Sequence, residues 1–127
     1  MGWFNRNTEN ESNKKALPWL HLTSLDQLKG AIESSAEKPV LLFKHSTRCG
    51  VSSMAMSGFQ SGWEGKEEEI DIYYLDLLNY RNVSDEIAAL TGVFHQSPQV
   101  IVLKNRAVVY TATHSGINAR EALNAIN

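Results

Sequence analysis

The stretch Phe43-Lys-His-Ser-Thr-Arg-Cys49-Gly-Val-Ser-Ser53 has the pattern of a strand that passes directly into a helix. An apolar run of β type, residues 40–43, precedes a short polar turn and the only cysteine of the chain. Apolar residues then recur at the spacing i, i+3, i+4, i+7 and i+8, which predicts one buried face of a helix. They are Val51, Met54, Ala55, Gly58 and Phe59.

Cys49 is therefore predicted at the N-terminus of this helix. Unpaired N–H groups and the positive end of the helix dipole favour a thiolate over a thiol at such a position. Arg48 adjoins the cysteine in sequence, with His45 and Lys44 close behind, and neighbouring cations favour the thiolate further. The stretch indicates a cysteine that acts as a nucleophile.

Composition limits the class of protein. The chain has 127 residues, a formal net charge of -2, 43% hydrophobic residues and 20% charged residues, which is typical of one globular domain. The slightly acidic balance argues against nucleic acid as a partner. No apolar run reaches the roughly 18–20 residues of a membrane-spanning helix, and the N-terminus lacks the apolar core of a secretory signal. We expect a cytoplasmic protein without a membrane partner.

The single cysteine excludes several kinds of chemistry. No internal disulfide can form, so any redox reaction must pass through a mixed disulfide with another molecule. Zinc-ligand spacing and glycine-rich phosphate loops are absent from the sequence. Met54 and Met56 could suggest copper, but Met54 falls on the predicted apolar face and is expected in the core. No metal site is predicted.

The rest of the chain alternates predicted strands and helices. Residues 1–16 are polar and aperiodic and predict a flexible tail, whereas residues 17–127 predict one domain. A capping pattern at Ser24 opens the first helix, Asn82 or Ser84 is expected to cap the third, and Asn118 the last. Gly92 is expected to end the third helix. The predicted strands are residues 19–22, 40–45, 70–75, 99–103 and 107–111, and the helices begin near residues 24, 49, 82 and 118.

This order, β-α-β-α-β-α-β-β-α, predicts an α/β fold with a central mixed sheet. Strands joined by crossover helices must be parallel, and the final hairpin adds antiparallel strands. The continuous apolar run at residues 40–45 predicts a central strand covered on both faces. Helices are therefore expected on both faces of the sheet.

The order of elements resembles the thioredoxin fold. The cysteine opens the helix after the second strand, and Ser97-Pro98 stands where that fold has a cis-proline facing the active-site sulfur. Three segments are more specifically similar to the monothiol bacilliredoxins, a thioredoxin-like family linked to the low-molecular-weight thiol bacillithiol. They are Phe43-Lys-His-Ser-Thr-Arg-Cys49 with Ser52, Asp76-Leu-Leu-Asn-Tyr-Arg-Asn-Val-Ser84, and His95-Gln-Ser-Pro-Gln-Val100.

The resemblance covers residues 17–127 and implies an activity. A monothiol thiol-disulfide oxidoreductase of this kind removes bacillithiol from S-bacillithiolated proteins, with Cys49 as the attacking residue. Bacillithiol is then a co-substrate, and no other cofactor is expected. Modified proteins and bacillithiol are the expected partners, and the protein is expected to act as a monomer.

Residues around the cysteine are the first group of candidate site residues. Ser52 stands where dithiol relatives have a second cysteine, and its hydroxyl either hydrogen-bonds the thiolate or only occupies the first turn. Arg48 either assists the sulfur and contacts a carboxylate of the incoming thiol, or is simply solvated. Thr47 either lines the site with its backbone or begins the helix. His45 and His95 either tune the sulfur or carry a proton, or are structural histidines with satisfied hydrogen bonds. The structural role is the commoner one for histidines at strand ends.

Two segments farther along the chain are the second group. The backbone beside Ser97-Pro98 is expected to pair with an extended substrate, as in strand addition. The stretch Ser115-Gly-Ile-Asn118 is expected to open the last helix, where Ser115 and Gly116 could hold a carboxylate of bacillithiol, since helix N-termini accept anions. Plain capping is the alternative for that segment.

Two other functions remain open at this point. One is a thioredoxin-like binding module that uses the Ser97-Pro98 groove to hold proteins without redox turnover. The other is a thiol peroxidase, whose cysteine would form a sulfenic acid with peroxide.

Overall fold

The computed structural model describes residues 16–127, so the predicted N-terminal tail lies almost entirely outside the described residues. Strands and helices follow one another in the predicted order. A 3₁₀ turn at His114–Gly116 precedes the last helix. The elements are β1 (Leu20–His21), α1 (Leu25–Ser34), β2 (Val40–His45), α2 (Gly50–Gly62), β3 (Asp71–Asp76), α3 (Arg81–Thr91), β4 (Gln99–Lys104), β5 (Ala107–Thr113) and α4 (Ala119–Asn124).

The five strands form one mixed sheet in the order β1-β3-β2-β4-β5. β3 is parallel to both β1 and β2, whereas β4 is antiparallel to both β2 and β5. All six residues of β2 are buried, as a strand with neighbours on both sides and helices on both faces requires. The predicted α/β, thioredoxin-like architecture is confirmed.

Each face of the sheet carries its own hydrophobic core. Successive side chains of β2 point to opposite faces, so Leu41 and Phe43 join one core while Val40 and Leu42 join the other. Helices α2 and α4 cover the first face through Met56, Phe59, Ala119 and Ala122, together with Trp63 directly after α2. Helices α1 and α3 cover the second through Leu28, Ala31, Val83 and Ile87.

Helix α1 and helix α4 have the predicted caps. Ser24 Oγ accepts a hydrogen bond of 3.1 Å from the Gln27 backbone N–H, and the Gln27 side chain in turn accepts one from Thr23 N. Asn118 Oδ1 accepts a bond of 2.9 Å from Glu121 N. Each cap satisfies a backbone donor that the first helical turn leaves free.

Helix α3 differs from its prediction at the start but not at the end. Its N-cap is Tyr80, with no side-chain cap, and Ser84 is buried within the helix. The prediction of Asn82 or Ser84 as the cap is therefore wrong, because the helix begins before either residue. Gly92 ends the helix as predicted, with φ of 74°, a left-handed conformation that glycine adopts without steric cost.

The buried face of helix α2 is not the one that the apolar spacing predicted. Ser52, Met56 and Phe59 are buried, whereas Val51 is 51% exposed and Met54 is 77% exposed. The prediction was right for Phe59 and wrong for Met54, which is not a core residue. The helix follows a buried stripe that includes a polar residue, Ser52, because that hydroxyl has hydrogen-bond partners inside the protein.

Candidate active site

The candidate residues meet at one end of the sheet, which we call the active end. His45 at the end of β2 pairs with Asp76 at the end of β3, and Lys44 pairs with Gln99 at the start of β4. Gln99 pairs in turn with Thr113 at the end of β5. The segments that follow β2, β3 and β5 and the segment that precedes β4 therefore converge there, as parallel and antiparallel register require.

Cys49 is the N-cap residue of α2 and is a half-buried free cysteine. Its backbone N–H donates to Ser46 O at 3.2 Å, and its carbonyl accepts from Ser53 N at 3.0 Å. These bonds fix the turn that carries the sulfur, while the side chain makes no capping bond of its own. The predicted position at the start of the helix is confirmed, and part of the residue is open to a reaction partner.

The Ser97-Pro98 peptide bond is cis, as the resemblance implied. Pro98 is buried, and its carbonyl accepts a hydrogen bond of 3.1 Å from His114 N, which ties the segment to the end of β5. Ser97 Oγ is buried and has no hydrogen-bond partner within residues 16–127. The bend therefore lies at the active end with a buried hydroxyl beside it.

Ser52 braces the turn that precedes the cysteine. Its hydroxyl oxygen accepts a bond of 3.0 Å from Ser46 N and lies 2.7 Å from His45 Nδ1. Burial lowers the pKa of His45 from its ordinary 6.5, although the charge of Asp76 opposes that shift, so the ring is neutral near pH 7. A ring proton on Nε2 lets the Ser52 hydroxyl donate to Nδ1, whereas a ring proton on Nδ1 leaves the hydroxyl proton free for the Cys49 thiolate, and that second bond remains a prediction.

A polar cleft of about 400 Å³ lies beside the cysteine turn. Thr47 and Arg48 form one wall, and Leu78 and Asn79, which follow β3, form the other. Asn79 Nδ2 donates to Asp76 Oδ2 at 2.7 Å, which fixes that second wall. Leu78 and Asn79 were not predicted as site residues, although both lie in the segment Asp76–Ser84 that carries the family resemblance.

An apolar cleft of about 390 Å³ lies along the exposed face of α2. Its lining includes four of the five helix residues that were predicted on the buried face, and the facing wall comes from the segment after β5. Ser115 belongs to that wall, and Gly116 follows it in the 3₁₀ turn. The lining residues are Val51, Met54, Ala55, Gly58, His114, Ser115 and Ile117.

The predicted opening of the last helix by the stretch Ser115-Gly-Ile-Asn118 is confirmed at Asn118, whereas Ser115 and Gly116 lie before the helix. Helix α4 begins at Ala119 and its first turn is capped by Asn118, so the 3₁₀ turn is a separate element. A role of Ser115 and Gly116 in binding bacillithiol stays a prediction, without the support of a helix N-terminus.

Three further observations on residues 16–127 concern metal ligands, the two methionines and membrane-spanning helices. No three His, Cys, Asp or Glu side chains within residues 16–127 gather as metal ligands would. Met54 is exposed and Met56 is buried, so the two sulfurs lie on different sides of α2. No helix of the described residues is long and apolar enough to span a membrane.

Comparison with known proteins agrees with this geometry. Residues 20–122 match the family model described as monothiol bacilliredoxin BrxC. A solved thioredoxin-fold structure described as an oxidoreductase is 34% identical, with a TM-score of 0.72 over 85% of this chain and 93% of that chain.

Two thioredoxins show the fold at lower identity. Malassezia sympodialis thioredoxin is 19% identical with a TM-score of 0.63, covering 88% of this chain and 93% of that one. Fasciola hepatica thioredoxin is 14% identical with a TM-score of 0.62, covering 84% and 94%. Family and fold together support a thiol redox function of the thiol-disulfide oxidoreductase type. The chain belongs to the monothiol bacilliredoxin family.

Proposed function

We propose that this protein removes bacillithiol from S-bacillithiolated proteins. The observation that carries the proposal is the lone cysteine, half-buried at the N-terminus of α2, in a chain of the monothiol bacilliredoxin family. One reactive sulfur is sufficient for this reaction, because the second sulfur of each exchange comes from another molecule.

The reaction is a thiol-disulfide exchange in two steps. The Cys49 thiolate attacks the bacillithiol sulfur of the modified protein, a Cys49–bacillithiol disulfide forms, and the protein thiolate leaves and takes up a proton. A second thiolate from solution then attacks the bacillithiol sulfur, which releases Cys49 as a thiolate and carries bacillithiol away as a new disulfide. Each step exchanges one disulfide for another, so electrons balance without a bound cofactor.

The two clefts suit the two unlike halves of the substrate. In the polar cleft, the Arg48 guanidinium and the Asn79 amide offer donors to the carboxylates of bacillithiol. In the apolar cleft, the exposed Val51 and Met54 offer contacts to apolar side chains of the modified protein. Ser115 and Gly116 offer a second place for a carboxylate on that side.

Ser97-Pro98 is the proposed guide for the protein strand. The backbone of Ser97 lies at the active end and precedes β4, so an extended segment of substrate could pair with it by strand addition. A reducing compartment suits the second exchange step, and we keep the cytoplasm as the proposed location.

The test is de-bacillithiolation of a model protein by the wild type and by Cys49→Ser. We expect the variant to lose the activity completely, because an alcohol cannot form the mixed disulfide. Ser57→Ala, on the exposed side of the same helix, is the matched control and should keep full activity. Equal rates for wild type and Cys49→Ser would contradict the proposal. Binding of the modified protein by the wild type without turnover would favour the binding module.

A further inference from the structure

Lys44 is a charged residue with no exposed surface. It lies in β2 one residue before His45 and pairs with Gln99 of β4, so its side chain belongs to the face covered by α1 and α3. Removing an ammonium group from water is costly unless the group is hydrogen-bonded. The buried ammonium group of Lys44 therefore needs a hydrogen-bond acceptor.

His95 provides that acceptor. Lys44 Nζ lies 3.2 Å from His95 Nδ1, and Ser84 Oγ lies 3.3 Å from the same nitrogen. An ammonium group can only donate, so Nδ1 must be the acceptor and the ring proton must be on Nε2. The buried amine thus fixes both the place and the tautomer of a histidine three residues before the cis-proline.

The surrounding charges maintain this pairing near neutral pH. Burial lowers the pKa of Lys44 to about 8, and the charge of Asp85 opposes that shift. Burial also lowers the pKa of His95, the Lys44 charge lowers it further, Asp85 raises it and Arg81 lowers it. Near pH 7 the amine is therefore mostly charged while the ring is neutral, which is the combination that the hydrogen bond needs.

Gln99 holds the same segment from the adjacent strand. Gln99 Nε2 donates to Phe94 O at 2.9 Å, and Gln99 Oε1 accepts from Gln96 N at 3.4 Å. Gln99 is 1% exposed, whereas Phe94 is 91% exposed. Two neighbouring buried side chains, Lys44 and Gln99, therefore hydrogen-bond the segment of residues 93–97. The Phe94 ring of that segment is exposed to solvent.

We propose that Lys44 is a positioning residue which, through His95, fixes residues 93–97 so that Phe94 and the Ser97 backbone can contact a protein substrate. The inference rests on the proposed function for the identity of the substrate. Lys44 itself touches neither the substrate nor the sulfur. Its effect reaches the reaction through the segment that ends in the cis peptide bond.

The experiment compares Lys44→Met with Lys104→Met. Both substitutions remove the amine of a strand lysine, but Lys104 Nζ bonds Ile126 O at the opposite end of β4. We expect Lys44→Met to raise KM for a bacillithiolated protein about tenfold, as loss of a charged hydrogen bond would, with little change in kcat. Alkylation of Cys49 by iodoacetamide should not change, since Lys44 does not touch the sulfur.

Nitrogen-15 NMR of the His95 ring is the readout that needs no enzyme activity. The wild type should show the Nε2–H tautomer near pH 7, and Lys44→Met should lose that fixed preference while Lys104→Met keeps it. His95→Asn provides an acceptor near the position of Nδ1 and should keep a KM closer to wild type than His95→Leu does.

The outcomes separate the two proposals. An Nδ1–H tautomer in the wild type, or an unchanged tautomer and KM in Lys44→Met, would overturn the positioning role. If the wild type removes no bacillithiol at all, the proposed function fails. The His95 tautomer and the amide exchange of residues 93–97 would then test only whether Lys44 fixes that segment. We expect about tenfold faster exchange in Lys44→Met.

Discussion

Lys44 and His45 are consecutive buried polar residues of one strand, yet they support different parts of the active end. His45 faces α2 and bonds Ser52, which braces the turn before Cys49. Lys44 faces α3 and bonds His95, which leads to Ser97-Pro98. The pleat of β2 thus separates support for the nucleophile from support for the substrate segment. The two side chains also differ in cost, because one is buried neutral and the other mostly as an ion.

The largest effect is expected from Lys44→Met, measured as the free energy of unfolding against pH. We expect the variant to be more stable than the wild type at pH 7 by roughly 2–3 kcal/mol, since the folded protein bears the cost of a buried cation there. Between pH 8 and 10.5 the unfolded chain holds a proton that the folded chain has released, so wild-type stability should rise with pH. The variant should lack this rise.

Lys104→Met is the control for that comparison and should keep the wild-type pH dependence. A Lys44→Met protein that is less stable than the wild type at pH 7 would show that the hydrogen bond to His95 outweighs the cost of burial. The proposed difference in the energetic cost of burial between Lys44 and His45 would then be contradicted.

The second-largest effect is expected from Ser52, which bonds His45 on the face of β2 opposite to Lys44. Ser52→Ala leaves Ser46 N–H and His45 Nδ1 without the hydroxyl, and should lower the free energy of unfolding by about 1–3 kcal/mol. Ser57→Ala on the exposed side of α2 should change stability by less than about 0.5 kcal/mol. Denaturant unfolding measures both, and equal small losses in the two variants would contradict a bracing role for Ser52.

A smaller effect sharpens the distinction between protein and small-thiol binding. Met54→Glu places a charge in the apolar cleft and should lower kcat/KM for a bacillithiolated protein about tenfold. Its exchange with oxidised bacillithiol should fall less, because the polar cleft is the first proposed site for that molecule and the apolar cleft only the second. Ser57→Glu adds the same charge elsewhere on α2, and an equal loss in that control would argue against a protein contact at Met54.

The smallest effect is expected from Arg48→Ala. Loss of one exposed cation should slow reaction with oxidised bacillithiol about two- to fivefold, and added salt should reduce that difference. Arg120→Ala, on the exposed surface of α4, should leave the rate unchanged. An Arg48→Ala rate that matches wild type at low salt would remove Arg48 from the proposed bacillithiol site.

The sequence predicted those parts of the fold that depend on local patterns. The apolar run of β2 is long enough to indicate a central strand, and the caps at Ser24 and Asn118 bond within their own helices. The cis bond at Ser97-Pro98 followed from the resemblance. The strand and the caps are each encoded within a few residues and needed no knowledge of distant contacts, whereas the cis bond needed the family resemblance.

The buried face of α2 could not be predicted in the same way. Ser52 can take an inward position because His45 at the end of β2 and Ser46 in the turn after it provide its partners. The apolar stripe through Met54 has the spacing of a core face but lines a cleft instead. Periodicity shows that residues share a side of a helix, and only the surrounding fold decides whether that side is covered.

The most direct test of the account is intact-mass analysis of the protein after mixing with an S-bacillithiolated substrate, before any second thiol is added. We expect one bacillithiol adduct on wild-type Cys49, an equal amount of unmodified substrate, and no adduct on Cys49→Ser. A substrate that keeps its bacillithiol, or a disulfide between Cys49 and the substrate protein in place of the bacillithiol adduct, would contradict it.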